Sequence, residues 1–218
     1  MICWDEREMK MSIKQYEQLS GFELDVFKEL GSIGSGNAAT ALSGVLNQKI
    51  SMSVPDVQVL ENNDAVARLG GPEKIVAAVL VKFSGEIDGI ILYLQNIDYI
   101  NHVLESVLGK TVECFEELNQ MDESALTEVT NIMISSYINA IAAMTGISVS
   151  LSVPAFTVNM LGAIMSVPMT EFGYEADKLM IIDGNILFDE KPVESNLIMV
   201  PDVKSLNIIL GKLGVLGD

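Results

Sequence analysis

Glu128 and Asn131 stand three residues apart, and Glu29 and Ser32 repeat that spacing 99 positions earlier. Residues three apart share one face of an α-helix, so each pair presents its polar groups together. Around Glu128 and Asn131 there is no histidine, cysteine or lysine, which rules out a triad or a nucleophile–base pair. A glycosidase would need two carboxylates. What a carboxamide does well is hold a water, because it both donates and accepts hydrogen bonds. A positioned water suffices where the leaving group is already activated and the metal is supplied elsewhere, as in hydrolysis of a phosphoryl group on a partner protein. Asparagine is a poor helix-interior residue, and an uncommitted polar group among apolar neighbours is costly. Asn131, within Val129–Met133 (VTNIM), is therefore read as functional.

The elements that must position these residues come in two copies. Asp25–Ser32 (DVFKELGS) overlays Ser124–Asn131 (SALTEVTN), and Ile50–Pro55 (ISMSVP) overlays Val149–Pro154 (VSLSVP), both at an offset of 99 without a gap. The shared pattern is Asp/Ser-x3-Glu-x2-Ser/Asn-x22-Pro. Farther on, Lys74–Phe83 resembles Lys178–Phe188, and 103–109 matches 208–214 at an offset of 105, so six extra residues enter the second half after Pro154. Each half reads helix, strand, strands, helix. Ser20 is a plausible N-cap for a helix burying Val26, Leu30 and Ile33, and its copy buries Ala125, Val129 and Ile132. Strands are expected at 50–54, 75–83, 90–94 and 197–200, with a hairpin connection over 84–89 and short amphipathic helices at 101–108 and 206–213. Gly31, Gly34 and Gly36 follow a helix rather than a strand and lack a following Gly-Lys-Ser/Thr, so they let two helices approach closely rather than cradle a phosphate. The expected organisation is an N-terminal extension (1–19) and one domain (20–218) made of two repeats, about 20–110 and 119–218. The fold class is α+β, layered, with pseudo-two-fold symmetry and a mostly antiparallel sheet.

Composition narrows the function further. Of 218 residues 49% are hydrophobic and only 6% aromatic, which implies a large aliphatic core. The formal net charge of −17 would repel nucleic acid and anionic membrane surfaces. Cys3 and Cys114 with the single His102 cannot build a Cys/His zinc site, and two lone thiols fit a reducing compartment. The mixed-charge N-terminus does not read as a signal peptide, so the chain is read as cytoplasmic. From Val129 to Thr170 there is no charged residue, but scattered Ser, Thr and Asn and the absence of flanking basic clusters mark a buried helix followed by a buried strand, not a membrane span.

The segment Glu29–Ser43, the paired motifs and Ser205–Gly214 together resemble the CheC/CheX/FliY family of chemotaxis phosphatases from about residue 20 to the end. The resemblance implies a sheet with long paired motif helices, and hydrolysis of the aspartyl phosphate of the response regulator CheY. It assigns the water-orienting role to Asn131 and the docking role to Glu128 and Glu29. It implies that Mg²⁺ belongs to the regulator, that the chain needs no cofactor of its own, and that the receptor deamidase CheD is a partner. An adaptor that binds phosphorylated CheY and CheD with little turnover is the alternative. The sequence departs from the family pattern at Ser32, where the first copy should carry Asn. A hydroxyl is too short to reach the same water, so the second site is expected to be the working one.

Overall fold

The runs at 75–81 and 179–182 are apolar at consecutive positions rather than alternate ones, because the sheet they form is covered on both faces. A computed structural model describes Tyr16 and residues 19–172 and 178–215. In chain order the elements are α1 (Gly21–Leu46), β1 (Ile50–Met52), β2 (Asp56–Glu61), α2 (Asn62–Arg68), β3 (Ile75–Gly85), β4 (Gly89–Gln95), α3 (Ile97–Leu108), α4 (Gln120–Thr145), β5 (Val149–Leu151), β6 (Ala155–Met160), α5 (Leu161–Phe172), β7 (Lys178–Phe188), β8 (Lys191–Pro201) and α6 (Val203–Lys212).

The strands form one antiparallel sheet of order β1-β7-β8-β4-β3-β5, with β2 also on β7 and β6 also on β3. That order reads the same from either end once the halves are exchanged, and the central β4–β8 pair lies on the pseudo-two-fold axis. Odd-numbered residues of β3 (Ala77, Val79, Val81, Phe83) and even-numbered ones of β7 (Met180, Ile182, Ile186, Phe188) face the large core with α1, α3, α4 and α6. Their alternates, including Val76, Ala78, Leu179 and Ile181, pack on the other face against Ala65 and Val66 of α2 and Leu161, Ile164 and Met165 of α5. Because α1 and α4 lie on the same face, the rotation that exchanges antiparallel β4 and β8 also makes these two helices run in opposite directions.

The two long helices touch where the sequence provides no side chain. A Cβ on Gly34 would fall 2.9 Å from Tyr137 Cδ1 and 3.0 Å from its Cα, so only glycine permits this approach. Beside it the Ser35 and Tyr137 hydroxyls are hydrogen-bonded at 2.6 Å. Gly31 serves a similar end, with Pro55 Cγ 3.0 Å from its missing Cβ. Gly36 does not: it is exposed and faces open space.

Several expectations shift. The buried stripe centres one residue off the predicted one: Phe27 and Leu30, and Leu126, Val129 and Met133, are fully buried, while Val26, Ile33, Ala125 and Ile132 are half-buried. Each helix faces both the sheet and its partner, so the apolar arc is wider than one stripe. The strand after the charge-free helix is not a buried one; β5 and β6 lie at the sheet edge and are half-exposed. Strand β8 begins at Lys191 rather than 197, because Asp189 and Glu190 both adopt positive φ (47° and 74°) in a two-residue hairpin turn that has Glu where glycine is usual. Part of the added length in the second half is α5, twelve residues against seven in α2. Within the predicted extension, Tyr16 is buried and its hydroxyl donates to the Pro201 carbonyl. Among the described residues no helix is long and apolar enough to cross a membrane.

The glycine geometry separates two substitutions that sequence alone would treat alike. Gly36→Ala should raise stability by about 0.5–1 kcal/mol through helix propensity. Gly34→Ala gains the same propensity but drives a methyl into Tyr137, and overpacking costs about 1–3 kcal/mol. Urea midpoints should therefore move in opposite directions; a Gly34→Ala variant as stable as Gly36→Ala would show that the helices do not meet there.

Candidate functional site

Both motif helices begin at matching capping boxes, which fix where their faces point. The Ser20 N–H donates to Glu23 Oε2 at 2.6 Å. In the second copy Asn119 Oδ1 accepts from the Met121 and Asp122 N–H groups (2.9 and 3.2 Å), and the Asn119 N–H donates to Asp122 Oδ2 at 3.0 Å. Each helix runs 26 residues to a left-handed C-cap, Asn47 in one and Gly146 in the other.

Between these caps the predicted residues fall on equivalent faces. Phe22, Asp25 and Glu29 are exposed and Ser32 is half-buried; Met121, Ser124 and Glu128 are exposed and Asn131 is half-buried. Among the described residues no hydrogen bond or ion pair occupies the side chains of Glu29, Ser32, Glu128 or Asn131, so each pair is open to an external partner. The structure brings Glu128 to Asn131 and Glu29 to Ser32, but does not join the two pairs. Gly34 meets Tyr137, Glu29 lies five residues before the first and Glu128 nine before the second. In helices of opposite direction that places the two carboxylates about 21 Å apart along the axes, at 1.5 Å per residue. These are two separate sites at opposite ends of one helix pair.

The repeated S-x-S-V-P segment has a structural reading residue by residue. Ser53 and Ser152 stand where the edge strand breaks before its proline. The Ser53 hydroxyl accepts the Asn185 N–H at 2.9 Å while the Ser53 N–H donates to the Asn185 carbonyl, and Ser152 does the same with Lys82 (3.0 and 2.8 Å). Each hydroxyl thus replaces a ladder carbonyl. Pro55 packs on Gly31, the residue before Ser32. The sequence showed the repeat, but only its geometry shows the serines' task.

The two helices are seated differently. At the position of Gly31 the second copy has Thr130, fully buried, whose hydroxyl accepts from Gln95 Nε2 at 2.6 Å. Gln95 is itself buried at the end of β4, and its Oε1 finds no partner. This bond holds the inner side of α4 one residue from Asn131. Neither residue was singled out by sequence, because a lone Thr and a strand-end Gln carry no spacing signal. Asp122 is also buried, and Lys110 Nζ lies 2.7 Å from its Oδ2. Burial alone would push its carboxyl up, but the Asn119 N–H and the Lys110 ammonium more than offset that and hold it below the ordinary value.

A carboxylate and a carboxamide on a convex, open helix face can dock a partner and orient one water; they supply no nucleophile. The family model described as CheC-like matches residues 22–59 and 121–158, the same segment of each half. The chain is 28% identical over 197 residues to the CheY-P phosphatase CheC of Bacillus subtilis (strain 168), covering 88% of this chain and 94% of that one. It is 28% identical over 144 residues to the flagellar motor switch phosphatase FliY of the same organism, covering 65% of this chain and 37% of that one. Among solved structures Thermotoga maritima FliY superposes with a TM-score of 0.72 at 21% identity, over 92% of this chain and all of that one. The FliM middle domain of H. pylori superposes at 0.65 and 10% identity, over 89% and 99%. At these identities the two structures establish the shared α+β fold.

Two measurements follow from the seating of α4. Thr130→Val keeps the shape and leaves Gln95 wholly unpaired, which should cost about 1–3 kcal/mol, whereas Thr130→Ser should lose less; equal urea midpoints for the two would remove the hydroxyl from the account. Asp122 binds its proton more weakly folded than unfolded, so its contribution is complete above the ordinary carboxylate pKa of about 3.9 and disappears as pH falls through the lower folded value. Asp122→Asn should be less stable near neutrality and should flatten the acid limb of the stability profile; an unchanged acid limb would exclude Asp122 from it.

Proposed function

We propose, from the CheC-like match in both halves, that this chain hydrolyses the aspartyl phosphate of the response regulator CheY, chiefly at Glu128 and Asn131. The observation that carries the assignment is Asn131: a half-buried carboxamide with no internal partner, beside an exposed carboxylate, on a helix seated by a buried hydrogen bond. Asn131 holds the attacking water through one donated and one accepted bond. The water oxygen bonds to phosphorus as the bond to the aspartyl oxygen breaks, yielding inorganic phosphate and a free carboxylate. That leaving group has an ordinary pKa near 3.9, so it departs without a general acid. The absence of histidine from the site thus fits the reaction. Glu128 docks the regulator and fixes the approach of Asn131. The divalent ion that neutralises the phosphoryl oxygens is assigned to the regulator, and the chain needs no cofactor of its own.

The same resemblance supports CheD as a further partner and a cytoplasmic location, where CheY would be met. Co-purification with CheD tests the first, and fractionation tests the second. A purely adaptor role has one observation in its favour, Ser32, and that concerns the first half alone.

Phosphate release from CheY supplied with Mg²⁺ and a small phosphodonor tests the assignment. Asn131→Ala should lower the catalysed rate about 10²-fold, as loss of one positioned polar group commonly does. Glu128→Ala should raise the concentration of phosphorylated CheY needed for half-maximal rate. Wild-type release by Asn131→Ala would overturn the assignment.

A further inference from the structure

The pseudo-symmetry breaks on the face of the sheet turned away from the motif helices. Asp56 pairs with Asp183, and Ala155, 99 positions later, pairs with Leu80, so Asp183 and Leu80 occupy equivalent places. Along the same ladders Asn196 corresponds to Leu92 and Glu194 to Ile90. Where β3 and β4 carry apolar side chains, β7 and β8 thus carry two carboxylates and a carboxamide. The covering helices differ in step. Both begin at equivalent positions, Asn62 and Leu161, but α5 has twelve residues against seven in α2. In its last turn Glu171 pairs with Lys82 of β3 at 2.6 Å, so α5 reaches across the strand that α2 leaves open on its own side. Past the end of α2 lies a cleft of about 610 Å³, bordered by Val54, Arg68, Lys74, Asp183, Glu194 and Asn196.

Part of this cleft is already neutralised. Arg68 pairs with Asp183 at 2.5 Å, and Asn196 Nδ2 donates to Asp183 Oδ1 at 2.9 Å. Two charges are not. Lys74 Nζ donates to the Leu69 carbonyl at 2.9 Å and, like Glu194, has no ion pair among the described residues. Both also line a smaller adjoining chamber of about 20 Å³, room for one water or one amino group. Gln95 lines that chamber too; it is fully buried, and its Oε1 has no partner. A buried acceptor without a donor is costly, so the chamber favours an occupant that brings an N–H.

From this juxtaposition we propose that the cleft binds a free amino acid. One unpaired cation and one unpaired anion at the same chamber match a ligand that carries both charges. A simple anion would face Glu194, and a simple cation would face Lys74. The ligand carboxylate pairs with Lys74. Its ammonium pairs with Glu194 and enters the small chamber, where it supplies the donor that Gln95 Oε1 lacks. Its side chain occupies the larger cleft beside Val54 and Leu69. The cleft lies across the sheet from α1 and α4, so this occupant is separate from any substrate of the Asn131 site.

Titration calorimetry of the full chain with each of the twenty standard L-amino acids tests the site without a regulator present. At least one should bind saturably, and its decarboxylated amine and its deaminated acid should not. Lys74→Met and Glu194→Gln should each weaken that binding about 10-fold or more, as loss of a charged partner does. Both positions are exposed, so the core is undisturbed, and Lys204→Met, at an exposed lysine of α6, should leave binding unchanged. No saturable heat from any of the twenty would overturn the proposal. Binding that survives both substitutions would overturn the assigned cleft, and equally tight binding of the decarboxylated amine would overturn the amino acid as its occupant.

Discussion

Tyr137 lies against the bare backbone of Gly34, and the arrangement of both sites follows from that contact. Because no Cβ intervenes, α1 and α4 approach closely enough to share one core above the sheet. The Ser35–Tyr137 hydrogen bond fixes their relative register. With the register fixed, the capping boxes at Ser20 and Asn119 decide how far each motif pair lies from the crossing point. Core strands, flanking helices and hairpins serve mainly to hold this helix pair up to solvent.

Most of this plan was legible in the sequence because it occurs twice. A repeat converts weak local signals into a strong one: Glu29 and Glu128, and Pro55 and Pro154, keep their spacing while most intervening residues change. The long helices, the β3–β4 hairpin and the outward face of the motif pairs could all be read from periodicity. The pieces that escaped were governed by tertiary context. Strands β2 and β6 and helices α2 and α5 have little periodicity of their own and exist because they cover edges and one face of the sheet. The two-residue turn at Asp189 and Glu190 carries only the first half of an Asp-Gly signal, with Glu where glycine would announce positive φ. At the site, Asn131 was visible as a polar residue out of place, whereas Thr130 and Gln95 are 35 residues apart and only the fold brings them together.

Symmetry of backbone has not preserved symmetry of chemistry. At one position the halves carry Gly31 against a proline ring and Thr130 against Gln95; at the next they carry Ser32 and Asn131. The half that carries the carboxamide is also the half whose helix is tied to the sheet by a buried polar bond. A water-orienting group must be held to a fraction of an ångström, while a docking surface tolerates more play. The differences in seating therefore run in step with the differences in expected task.

The broken edge strands have a consequence for the chain among copies of itself. Strands β1 with β2, and β5 with β6, form the two margins of the sheet, and each is interrupted at the Ser-Val-Pro segment. An uninterrupted edge of a dozen residues, with three valines in each, would offer a template on which another sheet could add strands, and from there fibrils could grow. Proline has no N–H to give, and the serine hydroxyl turns one bonding group inward, so neither margin presents a continuous row of free donors and acceptors. The same short break that brings Pro55 against α1 thus leaves each margin a poor template for edge-to-edge addition.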